Sequence, residues 1–174
     1  MARVVVLVGL MGSGKTAVGR RLAARIGASF RDTDDVVVER AGKSVRQIFA
    51  DAGEGAFRAL ESAALTDVLA ARGDVVIAAA GGVVLSAANR AAIQASASHV
   101  VWLDADVATL GERTRHGAHR PLLDGDAEGR LGEMRAARSA LYGEVANHRV
   151  DTTGKSIDDV VAEVASLIEL EPAS

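Results

Sequence analysis

The chain contains no cysteine. A disulfide scaffold, a thiolate zinc site, an iron–sulfur cluster and a thiol nucleophile are therefore all excluded. Lysine is scarce: of the 20 basic residues only Lys15, Lys43 and Lys155 are lysine. Arginine carries the remaining positive charge, which suits planar, forked recognition of carboxylate or phosphate. The net charge of −3 leaves no overall basic footprint for a nucleic acid partner. Long apolar runs are missing too. The stretch Val75 to Leu85 is interrupted by Gly81 and Gly82, well short of the ~20 residues a spanning helix needs. Val4 to Met11 follows Arg3 as the core of an export signal would, but it runs into Gly12-Ser13-Gly14-Lys15 instead of a small-residue cleavage site. Both stretches read as buried strands, and the protein as cytoplasmic, with no membrane partner. With no repeat, low-complexity tract or linker, the 174 residues read as one domain, long enough to bury ~70% of the extended chain's surface.

Short apolar runs alternate with longer helical-period stretches, the pattern of an α/β fold with a parallel sheet. Arg3 to Val8 is the first strand, continuously apolar as a strand buried on both faces should be. A helix from about Lys15 to Ile26 stops at Gly27. A short strand near Ser29 to Arg31 ends at Asp32. Ser44-Val-Arg-Gln47 is a capping box opening a short helix, and Glu54 to Ala71 predicts a longer one. Strands follow at Val75 to Ala79 and His99 to Leu103, then a helix with Asp106 as N-cap. Arg113 to Asp126 shows no helical periodicity and reads as a mobile loop. A helix from Glu128 to Ala146, a strand at Arg149 to Asp151 and a helix capped by Ser156 complete the chain.

Gly9-Leu-Met-Gly-Ser-Gly14-Lys15-Thr16 fits G-x-x-x-x-G-K-[ST] between a strand and a helix. Its glycines let the backbone curl so that N–H groups point inward at an anion. The helix N-terminus adds a favourable dipole, Lys15 reaches the terminal phosphates, and the Thr16 hydroxyl is a ligand for Mg²⁺. Such a loop specifies a nucleotide and leaves the reaction undefined. Two sites compete for the magnesium carboxylate. Asp104, closing Val100-Val-Trp-Leu-Asp104, has the generic strand-end position, although any buried strand ending in a capping aspartate would look the same. The rival is Asp32-Thr33-Asp34, where two carboxylates two residues apart on an extended segment point the same way. The residues alone leave both open.

The spaced set of motifs resembles the shikimate kinases, small members of the nucleoside-monophosphate-kinase-like P-loop group. The resemblance covers nearly the whole chain. It rests on the run from Gly9 to Ala23, on Phe30-Arg-Asp32-Thr-Asp34, and on the stretch Ile48 to Glu61 with Phe49, Phe57 and Arg58. It continues through Ala80-Gly81-Gly82-Val-Val84, Arg113-Thr114, Arg120-Pro-Leu-Leu123 and Arg138-Ser-Ala-Leu141-Tyr142. It implies ATP-dependent phosphorylation of the 3-hydroxyl of shikimate, on the route to chorismate and aromatic amino acids. It also implies a three-layer fold with a five-stranded parallel sheet ordered 2-3-1-4-5, an acceptor region at about 32–61, a lid at about 113–126, and a monomer.

Carried over residue by residue, the resemblance assigns ATP binding to Gly12, Ser13, Gly14, Lys15, Thr16 and Ala17. Arg113 would stack on adenine, and Lys155, in the Thr152-Thr-Gly-Lys-Ser156 loop, would edge the base. Asp32 and Thr16 would hold Mg²⁺, and Asp104 becomes structural. The catalytic set would be Lys15, Asp34 and Arg120: Asp34 would take the acceptor proton, and Arg120 would reach the transferring phosphoryl from the lid. Arg58 and Arg138 would grip the acceptor carboxylate, since guanidinium forks match its two oxygens. Glu61 would orient Arg58 through an i,i+3 pair, Phe49 and Phe57 would wall the pocket, and Gly81 and Gly82 would offer backbone contacts. Ala80 departs from the family's usual three glycines, and would be strained if that position needs positive φ. His116 and His119 match no family role and read as solvated loop residues.

A gluconate or adenylate kinase on the same fold is the nearest rival. The Asp34, Arg58, Arg138 set suits a carboxylate-bearing polyol better than a nucleotide acceptor. A GTPase lacks its guanine reader here, since Asn147-His-Arg-Val-Asp151 has the wrong spacing. A catalytically silent nucleotide-binding module would have no physical need for Lys15, Asp32, Asp34 and Arg120 together.

Overall fold

The computed structural model describes residues 2–115 and 125–170. Five parallel strands form one sheet in the order β2-β3-β1-β4-β5, as the resemblance implied. They are β1 (Val4–Val8), β2 (Ser29–Asp32), β3 (Val75–Ala78), β4 (His99–Asp104) and β5 (His148–Asp151). The helices are α1 (Lys15–Ile26), α2 (Thr33–Ala41), α3 (Val45–Leu69), α4 (Ala87–Ser96), α5 (Val107–Arg115), α6 (Ala127–Val145) and α7 (Ile157–Leu170).

All five residues of β1 are buried, because this central strand is covered on both faces. Its side chains alternate between two cores. Val4, Val6 and Val8 face Leu65, Ile93, Leu131 and Tyr142 of α3, α4 and α6. Val5 and Leu7 face Val18 and Leu22 of α1 and Val160 and Val164 of α7. The strand order reverses beside β1, which pairs with β3 on one side and β4 on the other. That switch point opens a crevice at the strands' C-terminal ends, where the glycine-rich loop lies.

A third, smaller core of Val37, Ile48, Phe57 and Ala64 joins α2 to α3. Ser44 and Gln47 form the expected capping box. Gly53 breaks α3 into two arms with φ 79° and ψ 178°, at the boundary between the two helices read from the sequence. Ser156 caps α7 by exchanging hydrogen bonds with Asp159, and Asp106 caps α5 by accepting from the Thr109 N–H.

Three expectations need correction. Asp34 stands in the first turn of α2 and not on an extended segment, because the Asp32 carboxylate accepts its N–H at 2.9 Å and starts the helix there. Arg113 belongs to the last turns of α5, a helix held down by Leu110 and Gly111, so the expected loop does not begin at Arg113. The Ala80 backbone is unstrained, since no residue other than glycine has positive φ among the described residues. Instead its buried N–H donates to Thr33 Oγ1 at 2.8 Å.

Candidate active site

A cleft of about 800 Å³ runs across the C-terminal ends of β1, β2 and β3. It brings together Gly12, Gly14, Lys15, Thr16, Ala17, Asp32, Asp34, Phe49, Phe57, Arg58, Glu61, Gly81, Gly82, Arg113 and Arg138. The candidates gathered from distant stretches of sequence therefore share one wall.

At one end the loop from Gly9 to Gly14 curls through positive φ at Gly9, Gly12 and Gly14. A side chain at Gly9 would strike the Leu103 carbonyl, so the loop is also pressed against the sheet. Helix α1 begins at Gly14 with no side-chain cap and no acidic residue in its first turn. Its opening N–H groups and dipole are thus directed at whatever anion the loop holds. Lys15 Nζ donates to the carbonyls of Gly9 and Leu10 at 2.8 and 2.9 Å, which folds it back over the loop. Ser13 is buried with its hydroxyl unpaired among the described residues.

Thr16 Oγ1 donates to Asp32 Oδ2 at 2.7 Å. One hydroxyl and one carboxylate make a small set of hard oxygen donors, which suits Mg²⁺, an ion that keeps several waters and leans on substrate phosphates. Among the described residues no group of three or more His, Cys, Asp or Glu forms a cage for a metal. The other candidate, Asp104, is turned away. It is buried, pairs with Arg135 at 3.0 Å and Arg149 at 2.6 Å, and its Oδ1 accepts the Ala105 N–H. Arg149 also lies over the Trp102 ring. Asp104 joins α6 to the strands β4 and β5 and does not line the cleft.

At the other end, Arg58 Nη1 donates to Glu61 at 2.6 Å and Nη2 to Glu54 at 3.1 Å. Burial works against the charge of Arg58, but the two carboxylates outweigh it and raise its pKa. Glu61 is 2% exposed. Burial pushes its carboxyl up, and the attraction of Arg58 offsets this only in part. Gly82 has no space for a side chain, because the Arg58 guanidinium occupies it. Phe57 lies beneath Arg58 and meets Phe49 at 4.8 Å between ring centres. Both belong to the small third core, so they wall the cleft and pack it at once. Asp34 stands between the two ends, half-buried.

Arg113 donates to the Gly12 carbonyl and twice to Thr152, at 2.9 and 2.8 Å, tying the phosphate loop to the loop after β5. Lys155 is not in the cleft; it pairs with Glu163 of α7. Arg120, His116 and His119, with the rest of the expected lid from 116 to 124, lie outside the described residues. Met11, Asp35, Val38, Val45 and Arg46 also line the cleft and carried no sequence signal. Thr33 and Tyr142 were missed as well, although Thr33 sits between the two aspartates and Tyr142 lies one turn after Arg138.

The chain from residue 11 to 169 matches the family model for shikimate kinase. It is 48% identical to the shikimate kinase of Symbiobacterium thermophilum, covering 95% of each chain. It is 44% identical to that of Geobacter metallireducens, covering 96% of this chain and 92% of the relative. The solved shikimate kinase of Acinetobacter baumannii, in complex with shikimate, superposes with a TM-score of 0.91 at 32% identity, covering 97% of this chain and 94% of the other.

Proposed function

The chain belongs to the shikimate kinase family, and from that premise we propose how its cleft carries out the ATP-dependent phosphorylation of shikimate. The acceptor oxygen is the 3-hydroxyl, and the products are shikimate 3-phosphate and ADP. The observation that carries this reading is one cleft with a phosphate loop at one end, two guanidiniums and the Gly81-Gly82 backbone at the other, and Asp34 between them.

Gly12, Ser13, Gly14, Lys15, Thr16 and Ala17 cradle the ATP phosphates with N–H groups and the Lys15 ammonium. Arg58 and Arg138 receive the acceptor carboxylate, with Glu61 bracing Arg58 from behind and Phe49 and Phe57 covering the ring. This fixes the acceptor hydroxyl beside Asp34, which orients it and takes its proton. Transfer through a loose transition state depends more on such positioning than on early deprotonation. Thr16 and Asp32 are the residues that would hold Mg²⁺. When bound, the ion neutralises charge on the phosphates. Arg113 borders the adenine side, and Lys155 the outer edge of that loop. Arg120 supplies charge to the phosphoryl group from the lid, whose closure excludes water.

The substrates are small molecules, and the working unit is a cytoplasmic monomer of one domain. Among the described residues no helix is long and apolar enough to cross a membrane. The test is ADP release from Mg-ATP with shikimate, quinate, gluconate, AMP or no acceptor. Turnover that requires shikimate, over a low background, is expected. Turnover with gluconate or AMP instead would overturn the acceptor assignment, and ATP binding without any turnover would revive the silent module.

A further inference from the structure

Tyr142 is the only tyrosine in the chain, and it is 1% exposed. Its ring packs at 5.8 Å from that of Trp102, while its hydroxyl reaches across from α6 to donate to the Gly81 carbonyl at 2.6 Å. Gly81 lies between this hydroxyl and the phosphate loop: a side chain there would sit 3.5 Å from the Tyr142 hydroxyl and 3.2 Å from the Gly9 carbonyl.

The Ala80-Gly81-Gly82 turn is otherwise fixed at fewer points than it has polar groups. The Ala80 N–H is held by Thr33 Oγ1, the Ala80 carbonyl by the Val83 N–H, and the Gly82 carbonyl by the Leu85 N–H. The N–H groups of Gly81 and Gly82 find no acceptor among the described residues, and both residues line the cleft. A trans peptide directs its N–H opposite to its carbonyl. By holding the Gly81 carbonyl, Tyr142 therefore sets the direction of the Gly82 N–H. The Arg138 guanidinium, one helical turn earlier, is near enough to this phenol to favour its charged form. A hydroxyl has one donor and two acceptor sites; the donor is spent on the turn, and Arg138 lies on the same wall of the cleft.

We infer that Tyr142 is a positioning residue for the acceptor: its hydroxyl locks the Gly81-Gly82 peptide in place beside Arg138, so that the turn and the guanidinium form one receiving surface. This rests on the reading that Gly81, Gly82 and Arg138 meet shikimate. The hydroxyl is suited to the role because burial pushes its pKa up to about 12, with Arg138 and Arg58 opposing that shift and Glu61 reinforcing it. It remains a donor across the working pH range.

In Tyr142→Phe the KM for shikimate is expected to rise about tenfold, with the KM for ATP within twofold of the starting protein. Trp102→Phe removes ring packing and keeps the hydroxyl. It should lower Tm at least as much while leaving the shikimate KM unchanged. Equal KM changes for both substrates in Tyr142→Phe, or none, would overturn the inference. Should Tyr142→Phe not fold, biosynthetic replacement by difluorotyrosine labels position 142 alone and makes the phenol far more acidic. The charged groups facing it are Arg58, Arg138 and Glu61; both guanidiniums keep their charge, and the unlabelled protein controls for Glu61. The shikimate KM of the labelled protein should then rise from neutral to mildly alkaline pH, and a flat profile would sink the proposal. If the unsubstituted chain did not use shikimate at all, the reading of the acceptor would fail first, separately from the role of Tyr142.

Discussion

The Arg58 guanidinium lies where the side chain of residue 82 would be, so Arg58 and Gly82 occupy one space between them. The turn after β3 and the second arm of α3 are matched parts of one cleft wall, the wall proposed to receive the acceptor. Gly82→Ala should dislodge the guanidinium and raise the shikimate KM by ~10–100-fold, the worth of a hydrogen bond to a charged group. ATP affinity, measured by calorimetry, should stay near the starting value. Ala80→Gly, at a position without backbone strain, should change the shikimate KM less than threefold, since it removes only a small buried contact (about one methyl group).

On the proposed mechanism Asp34 and Lys15 serve different ends of the reaction. Asp34→Asn should lower kcat by ~10²–10⁴-fold, the range for losing a general base, with little change in ATP binding. Lys15→Ala should abolish turnover and weaken ATP binding. Pre-steady-state rates with titrated ATP separate the two effects, and matched losses of ATP affinity in both variants would contradict the division.

The two aspartates considered for magnesium should respond differently. Asp32→Asn should raise the Mg²⁺ concentration for half-maximal rate by ~10–100-fold. Asp104→Asn should leave that concentration unchanged and cost ~2 kcal/mol of stability in urea unfolding. This is less than the ~3–5 kcal/mol of a fully buried pair, because the Arg149 side chain is 58% exposed.

Glu61 sets stability against function. Its carboxyl is pushed up by burial, so ionising it in the fold is costly even beside Arg58. Glu61→Gln removes that cost and should keep or raise Tm at neutral pH. It also removes the charge that braces Arg58, so the shikimate KM should rise. Thermal melts and acceptor kinetics on one preparation test the pair of effects.

Acid should unfold the protein partly through its helix and turn caps. The Asp106 carboxyl is held below its ordinary value of 3.8 by the Thr109 N–H, Asp151 by the Thr153 N–H, and Asp159 by the hydroxyl and N–H of Ser156. The unfolded chain therefore takes up these protons more readily than the folded one. Their stabilisation is complete above pH 3.8 and is lost as pH falls through the lower folded values. Urea midpoints should drop across that window, and Asp106→Asn with Asp159→Asn should flatten the drop.

Much of this was legible in the sequence because the phosphate loop, the capping box and the apolar strands each carry a local signal. The buried run of β1 and the glycine spacing after it place the nucleotide end without any tertiary information. Two helices gave no such signal. In α2 three successive valines, Val36 to Val38, suit a strand as well as a helix, and what starts the helix is the cap from Asp32. In α4 a mostly alanine segment buries only Asn89 and Ile93, too few apolar contacts to make a period. The helical state of Arg113 is equally hidden, since its side chain is occupied by Gly12 and Thr152, far away in sequence. Tyr142 is recognisable only once α6 is seen to face the turn after β3.

Gly53 has no neighbour within 4 Å of where a side chain would start. Its backbone nevertheless sits at φ 79° and ψ 178°, a region that is essentially glycine's alone and costs other residues ~1–3 kcal/mol. The bend it makes lets Phe49 and Phe57, on opposite arms, meet ring to ring. A survey of substitutions would thus find a sensitive position that touches nothing, where the permitted residue is chosen by an angle and not by a contact.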